Sequence, residues 1–169
     1  METLLLEIGT EEIPAGYIAP ALAAMSTHLQ QQLTHRRIAY GAVTTYGTPR
    51  RLAIEVRDVA ARQETISEQL VGPPEKVAFD GQGQPTMAAV KFAEKAGVSV
   101  KKLFVKETEK GRYLAAKRTQ SGKGSLQILK AILPEVILAV PFPKTMRWAD
   151  WGISFARPIQ SIVALWGAK

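Results

Sequence analysis

The feature that most constrains the fold of this chain is one long stripe of apolar residues at helical spacing. Ile18, Leu22, Met25, Leu29 and Leu33 recur at steps of four and three. That spacing puts them on one face of an amphipathic helix of about five turns.

Several shorter stretches carry strand patterns instead. One of them, Leu52 to Val59, alternates apolar and polar positions, which predicts a half-exposed strand. Lys110 and Gly111 lie at the turn of a predicted hairpin. A further helix is expected from Pro85–Thr86 to Gly97, and another follows Ser125, a plausible N-cap. The strand patterns cover residues 3–8, 42–46, 52–59, 65–71, 103–107, 113–119 and 159–166.

These elements are interspersed without strict β-α-β order. They predict an α+β (mixed α/β) fold with a largely antiparallel sheet packed by two or three main helices. A length of 169 residues fits one domain. The apolar run Ile159 to Trp166 is typical of a buried strand and stops three residues before the last residue. We therefore expect residues 1–169 to be a single N-terminal domain of a longer chain, truncated at the C-terminus.

Composition excludes some classes of protein and favours others. There is no cysteine, so a disulfide framework or thiolate metal site is excluded. The start lacks the basic region of a secretory signal, and no stretch has the ~20 apolar residues of a membrane span, which predicts a cytoplasmic protein. The net charge of +7 favours a polyanionic partner such as nucleic acid.

Motifs for catalysis or metal binding are weak. His28 and His35 lie about two turns apart on one predicted helix, too far along the axis to ligate one metal easily. The loop 121–125 has Lys117 where a phosphate-binding loop needs glycine, and Gly124 where it needs Ser or Thr. We predict no catalytic residue and no metal ligand.

Glu11 and Glu12 are adjacent carboxylates that follow the first strand. Adjacent residues do not face each other, so the pair alone makes a poor acid/base site. Two interpretations remain open. The carboxylates interact with the dipole of the following helix, or they belong to a binding site at the strand end, as in an editing-type or small-molecule-binding module.

Three loops combine basic residues with aromatic neighbours: 46–51, 143–148 and 155–158. Arginine contacts phosphate through its planar fork of donors, and a nearby ring can stack on an unpaired base. In the alternative interpretation the arginines pair with carboxylates such as Asp150, Glu11 or Glu12, and the rings are core residues. The RNA-binding candidates are Arg50, Arg51, Lys144, Arg147, Trp148 and Arg157.

The same segments, in order, resemble the beta chain of the heterotetrameric bacterial glycyl-tRNA synthetase. The resemblance is carried by Leu4–Pro14, Thr48–Ala53, Gly72–Pro73, Pro143–Trp148 and Phe155–Ile159, and it spans essentially all 169 residues. Each motif is weak alone, but the ordered set is specific.

The resemblance implies a ligase that attaches glycine to tRNA(Gly). The family's active site, which uses ATP with Mg²⁺, lies on the alpha chain, and the beta chain binds tRNA. It also implies that this piece neither activates glycine nor binds a cofactor. Its expected partners are the alpha subunit, tRNA(Gly) and the rest of the beta chain, with no membrane. Its expected role is tRNA binding or subunit assembly.

Overall fold

The computed structural model describes residues 1–109, 111–147 and 152–168. All strand pairs in these ranges are antiparallel, which confirms the α+β prediction with a largely antiparallel arrangement. None of the described helices is long and apolar enough to cross a membrane. The elements, in chain order, are β1 (Glu2–Thr10), α1 (Ala15–His35), β2 (Val43–Thr48), β3 (Arg51–Val59), β4 (Ile66–Pro74), α2 (Glu75–Ala78), α3 (Met87–Ala96), β5 (Leu103–Thr108), β6 (Gly111–Gln120), α4 (Ser125–Leu138), β7 (Met146–Arg147), β8 (Ser154–Phe155) and β9 (Ile159–Trp166).

The chain divides into two compact units. Unit 1 comprises Met1–Glu64 and Gly122–Lys169, and unit 2 is the continuous segment Thr65–Ser121. In the sequence, unit 2 is thus an insertion between the two segments of unit 1. The Gly- and Ser-rich stretch 121–125 lies at the second junction between the units, whereas no comparable stretch marks the first junction at residues 64–65.

Unit 1 is a four-stranded sheet with helices on one face. The strand order is β2-β3-β1-β9, and the alternate residues Leu4, Leu6 and Ile8 of β1 are buried beneath the helices. Helix α1 buries Ala21, Met25, Leu29 and Leu33 against this core, and Ile18 and Leu22 are half-buried beside it. The predicted apolar stripe is therefore confirmed.

Strand β3 is more buried than its alternation predicts. Ala53 is buried as well as its neighbours Leu52 and Ile54, because β3 lies inside the sheet between β2 and β1. The alternation breaks at Asp58, which has a φ of 54°. Asp58 is exposed and Val59 is buried, so the prediction of a simple half-exposed strand is wrong at this end.

Ser125 does not cap α4, contrary to the sequence-based prediction. It is the first helical residue, and the preceding Gly124 occupies the N-cap position without a side-chain hydrogen bond. The buried hydroxyl of Ser125 instead donates to the carbonyl of Ala60 at 2.5 Å. The helix then continues through Pro134 to Leu138.

Strand β9 is confirmed as a strand, but the prediction that it is buried is wrong. It is the last strand of the sheet and pairs only with β1 among the described strands. Ile162, Val163 and Leu165 are all exposed. The apolar composition of this run indicates a strand but does not distinguish an edge from an interior position.

Unit 2 is a three-stranded antiparallel sheet of order β4-β6-β5. Its core contains Ala78 of α2, Ala89 of α3 and Leu114 of β6, with Phe79, Phe92 and Leu103 packed around them. Strands β5 and β6 form the predicted hairpin, although Lys110 at its turn lies outside the described residues.

Candidate functional site

Three loops meet where β1 ends. The amide of Thr10 donates to the carbonyl of Arg50 at 2.9 Å, and the amide of Ile13 donates to that of Pro49 at 2.7 Å. On the other side, the amide of Glu11 donates to the carbonyl of Pro158 at 3.0 Å. The backbone therefore fixes the segment after β1 between the β2–β3 turn and the segment that enters β9.

The β2–β3 turn presents two of the predicted arginines to solvent. Thr48 pairs with Arg51 across the hairpin, so Pro49 and Arg50 form a two-residue turn. Arg51 Nε lies 3.6 Å from Glu7 Oε1, and the Arg51 side chain is 66% exposed. An ion pair this long and this exposed contributes little to stability. Arg51 thus remains available to an external anion.

Arg157 belongs to the segment on the other side of β1. Its guanidinium donates to the carbonyl of Ala156 at 2.9 Å and lies 3.8 Å from the sulfur of Met146. Met146 and Arg147 form β7, which pairs with β8 at Ser154 and Phe155. The short β7–β8 pair therefore links the basic loop that contains Arg147 to Arg157.

The aromatic residues of these loops have different roles. Phe155 is fully buried and meets Phe142 edge to face, with ring centroids 4.7 Å apart. It is a core residue, as the alternative interpretation holds for the aromatic rings. Tyr46, by contrast, is 52% exposed. Trp148 and Asp150 lie outside the described residues.

The cationic side chains are mostly exposed. Arg50, Lys144 and Arg147 are exposed, and Arg157 is half-buried. Within the described ranges, no carboxylate oxygen lies within 4.0 Å of the charged groups of these four residues. The alternative in which Glu11 or Glu12 neutralises the arginines is therefore not seen in this part of the chain. We call Arg50, Arg51, Lys144, Arg147 and Arg157 the basic loop cluster.

Glu11 and Glu12 are both exposed. A Glu11 carboxylate oxygen accepts a hydrogen bond from Gln160 Nε2 at 3.0 Å. Gln160 is not among the predicted site residues. No local sequence pattern indicates its role, because it lies 149 positions from Glu11 in the chain. Both carboxylates precede α1, which begins at Ala15 and has no acidic residue in its first turn, so the dipole interpretation stays a prediction. Nor do the described residues contain a cluster of His, Asp and Glu able to hold a metal ion.

A second surface of unit 1 is apolar. A cavity of about 620 Å³ lies between α4 and β9. Leu129, Leu133 and Ile137 line it from the helix, and Ile162 and Ala164 line it from the strand. Ile162 is 52% exposed because the helices do not extend over this edge of the sheet. We call this feature the α4–β9 groove.

Known proteins with similar sequences all point to one family. The family profile described as "Glycyl-tRNA synthetase beta subunit" matches residues 4–169. A glycine–tRNA ligase beta subunit of Desulfatibacillum aliphaticivorans is 56% identical over 167 residues, which cover 99% of this chain and 24% of that relative. The corresponding subunit of Desulforapulum autotrophicum is 48% identical over 167 residues, with the same coverage of 99% and 24%. That of Myxococcus xanthus is 46% identical over 165 residues, 98% of this chain and 24% of the relative. The chain thus spans about a quarter of the length of the curated relatives that it matches.

Proposed function

The chain belongs to the glycyl-tRNA synthetase beta subunit family, and on this basis we propose that it is a non-catalytic part of a glycine–tRNA ligase that contacts tRNA. The basic loop cluster is the observation that carries this proposal. The β2–β3 turn and the segment that enters β9 are tied to the end of β1 by backbone hydrogen bonds, and the loop that contains Arg147 is joined to β8 through β7. The side chains of the cluster have no carboxylate partner apart from the long Arg51–Glu7 pair in the described part of the chain. Exposed arginines on fixed loops suit contacts with phosphate, which position an RNA without reading its sequence.

The chemistry of the ligase is proposed to reside on the alpha subunit, with ATP, glycine and tRNA(Gly) as its substrates and Mg²⁺ as its cofactor. In this proposal the chain works in the cytoplasm with the alpha subunit and the rest of the beta chain. The exposed pair Glu11 and Glu12 supports a non-catalytic role for this chain. The Glu11 carboxylate is hydrogen-bonded to Gln160, and neither carboxylate is desolvated. General acid or base groups usually need burial or a close charge to tune them. An editing module built on this pair is not favoured.

Subunit assembly is a second candidate function, and the α4–β9 groove favours it. Contiguous apolar surface of this kind marks interaction sites on soluble proteins. The free edge of β9 adds unpaired backbone groups that another strand can pair with. In this role the groove binds part of the alpha subunit or of the remaining beta chain.

One experiment separates the two functions. Binding of tRNA(Gly) is measured at several salt concentrations for the parent, for Arg50→Gln with Arg147→Gln, and for the matched control Arg36→Gln with Arg57→Gln. The slope of log K against log salt is negative, and each lost phosphate contact reduces its magnitude by about one. We therefore expect the loop pair, Arg50→Gln with Arg147→Gln, to reduce the magnitude of the slope by about two. The control pair is expected to leave the slope unchanged.

The same proteins are tested for capture by alpha subunit, together with Ile162→Lys, which puts a charge in the α4–β9 groove. If the loop pair binds tRNA like the parent while Ile162→Lys loses the alpha subunit, assembly is the function and tRNA contact by the basic loop cluster is rejected. The opposite pattern supports the tRNA proposal.

A further inference from the structure

The sheet of unit 2 has two unlike faces. Residues directly opposite each other in an antiparallel pair share a face. Leu114 of β6 and its partner Val105 of β5 lie on the face packed by α2 and α3, as does Leu103, which joins their core. Gly72 of β4 lies against the ring of Phe92 from α3 on the same side. One face of the sheet is therefore the floor of the unit's core.

The residues that point to the other face are mostly exposed, although Lys106 and Tyr113 are half-buried. The register places Val71 of β4, Ala115 of β6 and Phe104 of β5 in one row across it. Phe104 is 37% exposed and Val71 is exposed as well. Tyr113, two residues before Ala115 on the same strand, is opposite Lys106. We call this side of the sheet, with Phe104, Tyr113, Lys106, Lys117, Gln69 and Val71, the open face.

A side-chain hydrogen bond confirms which residues point to this side. Lys106 Nζ on β5 donates to Gln69 Oε1 on β4 at 2.9 Å. Because β6 lies between these strands, the bond crosses over the central strand. It passes above the row that contains Ala115, which is fully buried although its cross-strand neighbours Val71 and Phe104 are exposed. Both side chains therefore project from the open face.

Charge is segregated between the two faces. The strands carry carboxylates at Glu68 and Glu107, and the register puts these opposite Arg118 and Arg112 on the helix side. Arg112 also pairs with Glu75 of α2 at 3.0 Å. Of the charged strand residues in the described ranges, only Lys106 and Lys117 fall on the open face. That face thus combines two cations, two aromatic rings and no carboxylate.

We propose that the open face of unit 2 binds unpaired nucleotides of an RNA, with bases stacked on Phe104 and Tyr113 and phosphates beside Lys106 and Lys117. Aromatic side chains on a sheet with basic neighbours are a common platform for single-stranded nucleic acid, since each base has a face that can stack. Ten basic and six acidic residues give unit 2 a net charge of +4, which adds long-range attraction for a polyanion. The proposal extends the tRNA contact proposed above to a second, separate surface. Gln69, Ser67 and Thr119 on the same side offer hydrogen bonds to bases or riboses.

The competing occupant is a protein surface, which an exposed phenylalanine and valine also suit. The lysines argue against it, because the cores of protein interfaces are depleted in lysine. A protein partner for this face would also need to supply acidic groups opposite two lysines that the sheet leaves without carboxylate partners on their own side. A phosphate backbone supplies negative charge at every nucleotide.

The test uses a fluorescein-labelled single-stranded RNA of ten nucleotides and the same RNA annealed to its complement. Anisotropy gives the affinity of the parent and of Phe104→Leu, which keeps an apolar side chain but removes the ring. Stacking of one base contributes about 1–3 kcal/mol, so we expect Phe104→Leu to weaken single-strand binding about tenfold. Phe104→Trp, which restores a stacking surface, is expected to bind like the parent. The duplex is expected to bind more weakly than the single strand in every case.

Two matched controls act on the helix side of the same unit. Val77→Ala removes an exposed apolar side chain from α2, and Lys91→Gln removes a charge from α3, for comparison with Lys117→Gln. We expect Lys117→Gln to weaken binding and to lower its salt dependence, and both controls to have no effect. Parent-like affinity of Phe104→Leu and Lys117→Gln would overturn the proposal. So would a loss of alpha-subunit capture by Phe104→Leu with RNA affinity unchanged, since that result makes the face a protein-docking surface. The loop pair Arg50→Gln with Arg147→Gln, tested in parallel, shows separately whether the basic loop cluster contacts RNA.

Discussion

Gly72 lies where the ring of Phe92 crosses β4. A Cβ atom at this position would lie 2.7 Å from one ring carbon of Phe92 and 2.8 Å from two others. These separations are well inside van der Waals contact, and an aromatic ring has few ways to yield. The absence of a side chain at residue 72 is what lets α3 approach the sheet of unit 2.

Gly72→Ala is therefore expected to lower the free energy of unfolding by about 1–3 kcal/mol, the usual cost of overpacking a core. Urea denaturation followed by far-UV circular dichroism measures the change. Adding Phe92→Leu to Gly72→Ala is expected to recover part of the loss, because leucine is narrower than the ring. Gly81→Ala is the control, since no atom lies within 4 Å of its added Cβ. Equal urea midpoints for Gly72→Ala and Gly81→Ala would contradict the conclusion that a glycine at residue 72 is needed for α3 to pack against the sheet.

Sequence alone predicts the chemistry of single residues better than their partners. Arg50 is expected in the turn between two strands and lies there, whereas Arg51, expected in the same turn, is the first residue of β3; both are exposed. The carboxylates suggested for the arginines were Glu11, Glu12 and Asp150, yet Arg51 reaches Glu7. That contact depends on the register between β1 and β3, which no local pattern encodes. The packing of Phe155 also depends on a contact that no local pattern encodes. Its ring packs against Phe142, which belongs to a different segment of the chain.

Helix α4 is anchored at its first residue. The Ser125 amide donates to the carbonyl of Ala61 at 2.9 Å, and its hydroxyl donates to the carbonyl of Ala60. Both acceptors lie just after β3. These two bonds fix the start of the helix against the sheet of unit 1.

Ser125→Ala is expected to destabilise the protein by about 1–3 kcal/mol, because it leaves the part-buried carbonyl of Ala60 without its hydroxyl donor. The expected result is a lower urea midpoint with an unchanged m-value. Ser26→Ala on α1 serves for comparison, as its hydroxyl accepts only from Gln30 on the same helix. We expect that substitution to change the stability by no more than about 0.5 kcal/mol. A Ser125→Ala protein as stable as Ser26→Ala would show that the anchor is dispensable.

At the level of elements, periodicity located most helices and strands correctly. The stripe from Ile18 to Leu33 and the β5–β6 hairpin are clear cases. Errors arise where tertiary contacts override local signals. Ser125 resembles an N-cap in sequence, but its hydroxyl is used by a carbonyl 65 positions away. The strand β9 has the composition of a buried strand and yet forms an edge.

The whole molecule is organised by an insertion. The chain leaves and re-enters unit 1 at neighbouring points, because the Gln63 amide donates to the carbonyl of Lys123 at 3.0 Å and Arg62 forms a β-bridge with Gly124. The Gln63 side chain also accepts from the Lys123 amide at 3.0 Å. These contacts hold the two ends together within unit 1 itself.

Replacing Thr65–Ser121 by a linker of about four glycine and serine residues is therefore expected to leave unit 1 folded, since closing so short a gap costs little entropy. Cooperative urea unfolding of the shortened protein checks this expectation. The deletion should also remove the single-strand RNA binding proposed for the open face and keep the contribution of the basic loop cluster. Loss of a cooperative transition would contradict the independence of unit 1.

This level of organisation is the hardest to predict from sequence. Length and composition are compatible with one domain. The Gly- and Ser-rich stretch 121–125 lies at one junction of the two units, but no comparable stretch marks residues 64–65. The order β2-β3-β1-β9 follows from pairings between distant segments. Local patterns predict that these strands exist but not that the first and the last are neighbours.

The pairing of β1 with β9 also means that the sheet of unit 1 can be completed only late in the synthesis of these residues. Strand β1 is made first, and its partner β9 follows about 150 residues later, a delay of roughly 8–30 s at ordinary rates of translation. During that interval β3 becomes available to pair with one edge of β1, while the edge that later pairs with β9 at Leu4, Leu5 and Leu6 has no partner. One edge of β1 therefore stays without its partner while β2, β3 and all of unit 2 are synthesised. A ribosome-associated chaperone that covers this edge would keep it from pairing with another chain.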